Sequence, residues 1–340
     1  LVDGRLTAVR GADGAALDAD ATLAQLADHA EAIAAAGYLP LITTPVRLSD
    51  DQAAAQIAAV QAQLEQPLTI AGYDPVSNTT TTWTVPAETL AAWLRVDSSG
   101  GQTRLSLDES QFGAYLTQLE GSLTNGDTFW ISGQAYNLTE RWQNGEPYTV
   151  ILKEPASTYT IQAGDTLLKI SYQVDIPYWM IAAANPEIDP DALPVGADLV
   201  IPSRSDLLPE PVVLGKRIVI SISQQRMTIY ENGSVIREFV ISTGVDRSPT
   251  QPGVFQIRTH ELNAYASVWD LYMPHFLGIY EAWPGFMNGI HGLPTLSNGT
   301  RLWESILGKP ASYGCIILSL DNAAWLYTWA ETGVVVEIQA

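Results

Sequence analysis

The hydrophobic positions of this chain change period several times along its length. Leu23, Leu26, Ala30 and Ile33 recur at helical spacing up to Gly37, a residue suited to a helix end. Ile57, Val60 and Leu64 repeat the pattern after Ser49, and Phe112, Leu116 and Leu119 repeat it before Gly121. The three helices share an entry: Leu17-Asp18, Leu48-Ser49 and Leu107-Asp108 each put a capping side chain directly after a leucine. Ser49 with Gln52 and Asp108 with Gln111 have capping-box spacing. Between the last two helices, TTTTWTVP (79–86) is rich in β-branched residues and predicts a strand. Residues 1–157 therefore read as an α+β region built on a duplicated unit.

Further on, residues 159–202 read as strand, helix from an Asp165 cap, helix after Pro177, then strand. This order lets Ile161, Leu167, Ile170, Ile181 and Leu199 share one small core. SRSDLLPEP (203–211) reads as a short linker whose two prolines limit hinge motion without abolishing it. From 212 the pattern is β-rich. KRIVISISQQRMTIY (216–230) and SVIREFVIS (234–242) flank Asn232-Gly233, a strong hairpin signal, and GVFQIRT (253–259) alternates again. A helix around Asn322–Ala330 leads to a closing strand VVVEIQ (334–339), which predicts a small β-sandwich or barrel with one packed helix. The expectation is a multidomain α+β protein with domains at 1–157, 158–203 and 212–340.

A length of 340 residues, 46% of them hydrophobic, supports two or three separate cores. The net charge of −20, with only four lysines, argues against a nucleic-acid partner. Asp+Glu against Lys+Arg is 19 to 7 over residues 1–157, 8 to 2 over 158–211, and 10 to 8 over 212–340. The acidity thus belongs to the N-terminal regions, where it serves solubility, and the last third is free to receive an anionic substrate. No stretch is long and apolar enough to span a bilayer. A start at Leu1 fits a processed secretory precursor or a trimmed chain, with any signal or anchor lying outside this sequence.

Cys315 is the only cysteine, and it ends the tetrapeptide SYGC (312–315), where small residues leave the sulfur uncrowded. A thiol with nothing to pair with is either a small buried hydrophobe or a nucleophile. His291 in NGIHGLP (288–294) lies 24 positions upstream (315 − 291), and Cys with His points to acyl transfer. The backbone amides of Tyr313, Gly314 and Cys315 are the natural oxyanion donors. His29, His260 and His275 read as packing or surface residues, with His275 the one to test. Seven aromatic residues from Tyr265 to Phe286 either fill a core or line a ligand groove. No cluster of ligands has metal-type spacing, so neither metal nor cofactor is expected.

Three resemblances add to this reading. PVRLSDDQAAAQIAAV (45–60), TWTVPAETLAAWLRVD (82–97) and RLSLDESQFGAYLTQL (104–119) diffusely resemble peptidoglycan-binding modules found with vancomycin-resistance-associated and transpeptidase proteins; a structural spacer is the other reading. YTIQAGDTL, AANP and VGADLVIP within 159–202 resemble a LysM module almost end to end. That resemblance implies binding of N-acetylglucosamine-containing glycans, with Gly164, Asp165, Thr166, Asn185, Pro186 and Ile188 at the sugar groove, or else only shaping turns and caps. Residues 212–340 resemble the YkuD-type L,D-transpeptidase catalytic domain through SISQQRMTIYENG (221–233), STGVDRSPTQPGVF (242–255), NGIHGLP and SYGCIILSLDNAAWLY (312–327).

The last resemblance implies a secreted, wall-associated enzyme acting on peptidoglycan tetrapeptide stems. Cys315 would be the nucleophile and His291 the base, oriented by the Gly292 carbonyl, with Ser312, Tyr313 and Gly314 completing the turn. Carbapenem-type β-lactams would acylate the same sulfur. The chain departs from the common family pattern at Tyr313, where many members have histidine, and at Ile317, where they have an arginine that steadies a substrate carboxylate. Arg301 and Lys309 are candidate replacements for that cation, and Tyr280 and Trp283 candidate substrate contacts. An L,D-carboxypeptidase and a catalytically impaired wall-binding scaffold are the alternatives.

Overall fold

The computed structural model describes residues 14–46, 50–97, 104–130, 137–302 and 304–340. The described residues of 1–70, 83–114 and 136–148 form one compact unit; those of 71–82, 115–135 and 149–340 form a second. The N-terminal elements are β1 (Gly14–Leu17), α1 (Ala19–Asp28), α2 (Ala30–Ala36), β2 (Thr43–Val46), α3 (Asp50–Leu64), β3 (Thr69–Asp74), β4 (Thr79–Thr84), α4 (Ala87–Trp93), β5 (Leu94–Asp97), β6 (Arg104–Leu107), α5 (Glu109–Glu120), β7 (Thr128–Trp130), α6 (Leu138–Gln143) and β8 (Tyr148–Lys153).

The repeated helix entries have a physical basis in the two that are described. Asp18 accepts from the Ala21 N–H at 2.9 Å and opens α1. Asp108 accepts from the Ser110 and Gln111 N–H groups and opens α5, but no reciprocal box forms, because the Asp108 N–H donates to the Trp93 carbonyl instead. The Leu48-Ser49 entry lies outside the described residues. The first helix breaks at His29 (φ −130°, ψ 27°), and Gly37 ends α2 in the left-handed region. Leu23 and Leu26, which recur at helical spacing, are exposed, whereas Phe112 and Leu116 of α5 are buried.

In the second unit, β9 (Ser157–Thr160), α7 (Leu167–Val174), α8 (Tyr178–Ala184) and β10 (Asp198–Ile201) form a βααβ module with β9 and β10 antiparallel. Ile161, Leu167, Ile170, Ile181 and Leu199 are all buried in it, joined by Ile176 and Ile201. The helix cap is one residue later than its sequence suggests. Thr166 caps α7 through the Lys169 N–H, while Asp165 turns back to accept from the Tyr159 hydroxyl and the Gln162 N–H.

The segment 203–211, expected to be a short linker, is packed. Ser203 caps a short 3-10 helix Arg204–Leu207, Leu207 and Leu208 are buried, Arg204 is ion-paired with Glu154, and Glu210 donates its N–H to the Gln256 side chain. Two further bonds fix the βααβ module to the C-terminal β-rich region. The Trp179 indole donates to the Glu281 carbonyl at 2.9 Å, and the Gln251 amide donates to the Ser171 carbonyl at 3.1 Å.

The remaining elements are β11 (Lys216–Ser221), β12 (Arg226–Glu231), β13 (Ser234–Val240), β14 (Gly253–Gln256), β15 (Thr259–Ala266), β16 (Leu271–Trp283), β17 (Phe286–Gly292), β18 (Thr295–Leu296), β19 (Ile316–Leu318), α9 (Leu320–Trp329) and β20 (Val335–Gln339). The run 216–230 folds back at a turn where Gln225 has φ 52°, so one alternating stretch makes two antiparallel strands. Asn232 and Gly233 (φ 49° and 77°) then turn β12 into β13. Five strands form a sheet in the order β13-β12-β11-β20-β14, and four form a second in the order β15-β16-β17-β19, with β18 on β16. Ile218, Ile220, Met227 and Ile229 from the first and Leu277, Ile279, Ile290 and Ile316 from the second share one core, with Leu326 of α9. The β17–β19 pair is parallel, so the chain from Leu293 to Cys315 must cross over between them.

Candidate active site

The crossover delivers Cys315 to the start of β19, beside the strand that carries His291. His291 pairs with Ile317, which places Cys315 two positions earlier, level with Gly289. Residues two apart along an extended chain share a face, so with Cys315 just before β19 and bonded from the Gly289 backbone, the thiol and the imidazole lie on the same side of the sheet. A shared neighbour supports this: the Phe276 ring stacks over His291 (centroids 6.1 Å, 25°) and belongs to the apolar cluster against which Cys315 packs. Gly289 makes room for that ring, since a Cβ there would come within 2.6 Å of it.

His291 is buried, and its Nδ1 lies 2.7 Å from the Gly292 carbonyl oxygen. A carbonyl only accepts, so Nδ1 carries the proton and Nε2 keeps its lone pair. Burial drives the imidazole down to about 4, opposed by the Gly292 bond. Burial pushes the Cys315 thiol up to about 11, opposed by a bond from the Gly289 backbone. Both shifts favour the uncharged form, so the thiol and the imidazole are both neutral near pH 7.

Behind the thiol lies a polar chain that sequence reasoning did not assign. Cys315 Sγ donates to Asn288 Oδ1 at 3.6 Å, Asn288 Nδ2 donates to the Tyr280 hydroxyl at 3.0 Å, and the Gln251 N–H donates to that hydroxyl at 2.9 Å. Asn288, Tyr280 and Gln251 are all buried. Tyr280, expected as a substrate contact, is therefore a core residue: its ring stacks on Phe255 and burial raises its hydroxyl pKa.

The turn itself is tightly braced. Ser312 donates its hydroxyl to the Cys315 carbonyl at 2.6 Å and accepts from the Gly314 N–H at 3.1 Å. The Gly314 amide, expected as an oxyanion donor, is thus occupied; among the described residues the Tyr313 and Cys315 amides have no partner and remain the donors available. Gly314 has φ 110°, and a Cβ there would meet Asn288 Nδ2 at 2.6 Å, so glycine is required twice over. Alongside runs the loop 244–250. Val245 N–H donates to the Ser312 carbonyl, the Ser248 hydroxyl to the Tyr313 carbonyl and the Thr250 hydroxyl to the Gly314 carbonyl.

Tyr313 faces outward and is 41% exposed. Trp269 stacks on its ring (5.4 Å, 10°), Phe286 meets Trp269 edge-on, and Trp283 stacks on Phe286 (4.1 Å, 12°). Trp283 is therefore part of an aromatic array leading to the cysteine turn. Ile317 is buried against His291. Arg301 and Lys309 are exposed, and neither side chain hydrogen bonds to residues 312–315 among the described contacts; Arg301 lines a separate cavity with Asn263, Tyr272 and Leu320. His260 and His275 both contact the Tyr327 ring, and His29 is an exposed helix junction. Among the described residues no group of three His, Cys, Asp or Glu is arranged to hold a metal ion. No helix of the described residues is long and apolar enough to cross a membrane.

In the βααβ module the six expected sugar contacts separate. Gly164 (φ 83°) and Pro186 are exposed; Thr166 is exposed with its hydroxyl committed to the cap. Asn185 is buried and spends its side chain on the Ile181 and Val200 carbonyls and the Val200 N–H. The Asp165 side chain is 1% exposed, and Ile188 packs against the core.

Comparison with known proteins agrees with this architecture. The family profile of the YkuD L,D-transpeptidase catalytic domain matches residues 215–338, and that of the LysM domain matches residues 159–202, so both domains are present in the chain. A Bacillus subtilis protein named as the L,D-transpeptidase YkuD is 28% identical over 185 residues, covering 53% of this chain and 98% of that protein. Among solved structures, an L,D-transpeptidase from Mycobacterium smegmatis is 24% identical, covering 37% of this chain and 59% of its own, under two thirds of its length, with TM-score 0.31. The LD transpeptidase LdtMt1, solved in complex with imipenem, is 20% identical with TM-score 0.32 and covers 43% of this chain and 76% of its own.

Proposed function

We propose that this protein is a secreted, cell-wall-associated L,D-transpeptidase that crosslinks or remodels peptidoglycan through an acyl-enzyme on Cys315. The observation that carries the reading is the His291 Nδ1 bond to Gly292, which leaves Nε2 basic on the same sheet face as the thiol. In the first half-reaction the thiol proton passes to His291 Nε2 as the sulfur bonds to the stem carbonyl carbon. The carbon–nitrogen bond to the terminal amino acid then breaks, and the imidazolium protonates the leaving amine. In the second, an acceptor amine attacks the thioester, His291 takes its proton, the carbon–sulfur bond breaks and the thiol is restored. The Tyr313 and Cys315 amides face the developing oxyanion, where one donor is worth about 10²–10³-fold in rate. The LysM module holds the glycan strand through its exposed turns at Gly164 and Pro186, and no cofactor takes part.

Incubation with a carbapenem followed by intact-mass analysis tests the chemistry. One adduct on the wild type and none on Cys315→Ala is expected; no adduct on the wild type would reduce the protein to a binding scaffold. Muropeptide products with and without an acceptor amine then report transfer, and hydrolysis alone would mark a carboxypeptidase.

A further inference from the structure

The catalytic domain carries eight cations, and the residue paired with His291 on the neighbouring strand is the buried, uncharged Ile317. Lys216 and Arg217 are neutralised by Glu331 and Glu337, and Arg237 lies over the Trp325 ring. Arg247 is different. Its guanidinium sits over the Tyr313 ring, 5.5 Å from the centroid, and donates to the Tyr313 hydroxyl at 3.3 Å. It is exposed, and among the described residues it forms no ion pair with any carboxylate. One of its five N–H donors is used, which leaves the fork able to take a carboxylate in bidentate fashion.

Its placement is also fixed from the backbone. The loop 244–250 is bonded to each of Ser312, Tyr313 and Gly314, so Arg247 moves with the cysteine turn. Trp269 also stacks on the Tyr313 ring, so the ring beside Cys315 is contacted by both an indole and a cation.

We propose that Arg247, positioned by Tyr313, is the specificity residue that receives a carboxylate of the donor peptide. This rests on the transpeptidase reading above. The cation lies on the loop flanking the turn and not on β19, so the donor's carboxylate is gripped from the side of Tyr313.

Steady-state kinetics on the full chain test this with three donor tetrapeptides: unmodified, amidated at the terminal carboxylate, and amidated at the internal stem carboxylate. Arg247→Gln should lower kcat/KM for the unmodified donor about 10- to 100-fold, mainly through KM, as expected for one charge-assisted pair. It should leave one amidated donor unaffected, and that donor identifies which carboxylate is bound. Arg247→Lys should recover part of the loss, and alkylation of Cys315 should be unchanged in both variants. Equal losses on all three donors, or no loss on any, would overturn the assignment of Arg247 alone. A wild type inert towards all three donors, with Cys315 alkylated normally, would overturn the transpeptidase reading and this proposal with it.

Discussion

Alkylation of Cys315 by iodoacetamide, followed over pH by intact mass, is the sharpest probe of the resting site, because the single cysteine makes the mass shift unambiguous. With the thiol raised from 9.0 to about 11, the thiolate fraction at pH 7 is about 10⁻⁴ against about 10⁻² for an unperturbed thiol. The greater intrinsic nucleophilicity of a more basic sulfur returns about a factor of ten, so the net rate at pH 7 should be about tenfold below that of a free thiol. The shape matters more than the size. The logarithm of the rate should climb with unit slope through pH 10, because the neutral His291 offers no charge to stabilise thiolate. His291→Gln should leave that profile in place while abolishing the carbapenem adduct, since the imidazole is needed only as a base during acylation. A plateau beginning below pH 8 would refute the argument and show a preformed thiolate–imidazolium pair.

Other outcomes depend on particular contacts. Gly314→Ala should cost about 1–3 kcal/mol of stability from backbone strain and slow adduct formation by displacing Asn288. Gly285→Ala (φ 80°, nothing within 4 Å) should show the strain without the loss of acylation, and equal acylation by the two variants would sink the reasoning. Asn185→Ala should destabilise the LysM module by about 2–4 kcal/mol in urea unfolding, because three backbone groups lose their partner; unchanged stability with lost glycan binding would return Asn185 to the sugar groove. Holding His291 at about 4 instead of 6.5 means that, between those values, the unfolded chain takes up a proton the folded one refuses. Its stabilising effect is therefore complete above pH 6.5 and lost as pH falls towards 4, on the order of 3 kcal/mol. His291→Gln should narrow the gap between urea midpoints at pH 7 and pH 4.5, and an unaltered gap would count against it.

Local chemistry reads directly from the chain. The Asp18 and Asp108 caps and the Asn232-Gly233 hairpin each depend on residues within a few positions of one another, and all are present. Features set by distant strands do not read this way. Asn288 stands inside the NGIHGLP motif, yet its bond to the thiol exists only because β17 and β19 pair in parallel across a 23-residue crossover (293 to 315). The same holds for Tyr280: its aromatic ring looks like a ligand platform in sequence, and only the long β16 reveals that its hydroxyl points at Asn288. Arg247 lies in STGVDRSPTQPGVF without any local mark of function, since its significance comes from stacking on a residue 66 positions away. Leu23 and Leu26 show the opposite failure, in which helical spacing marks an apolar face that remains exposed.

The seating of the LysM module has a consequence for how such an enzyme would search its substrate. Trp179 bonds α8 to β16 of the sheet beside Cys315, Gln251 bonds the loop before β14 to α7, and the packed 203–211 segment removes the slack. A tethered module would let the thiol sweep a volume set by linker length. Here one grip on a glycan strand would present the sulfur at a single offset along that strand, so the spacing of stems on the polymer, and not their bulk abundance, would decide which of them reacts.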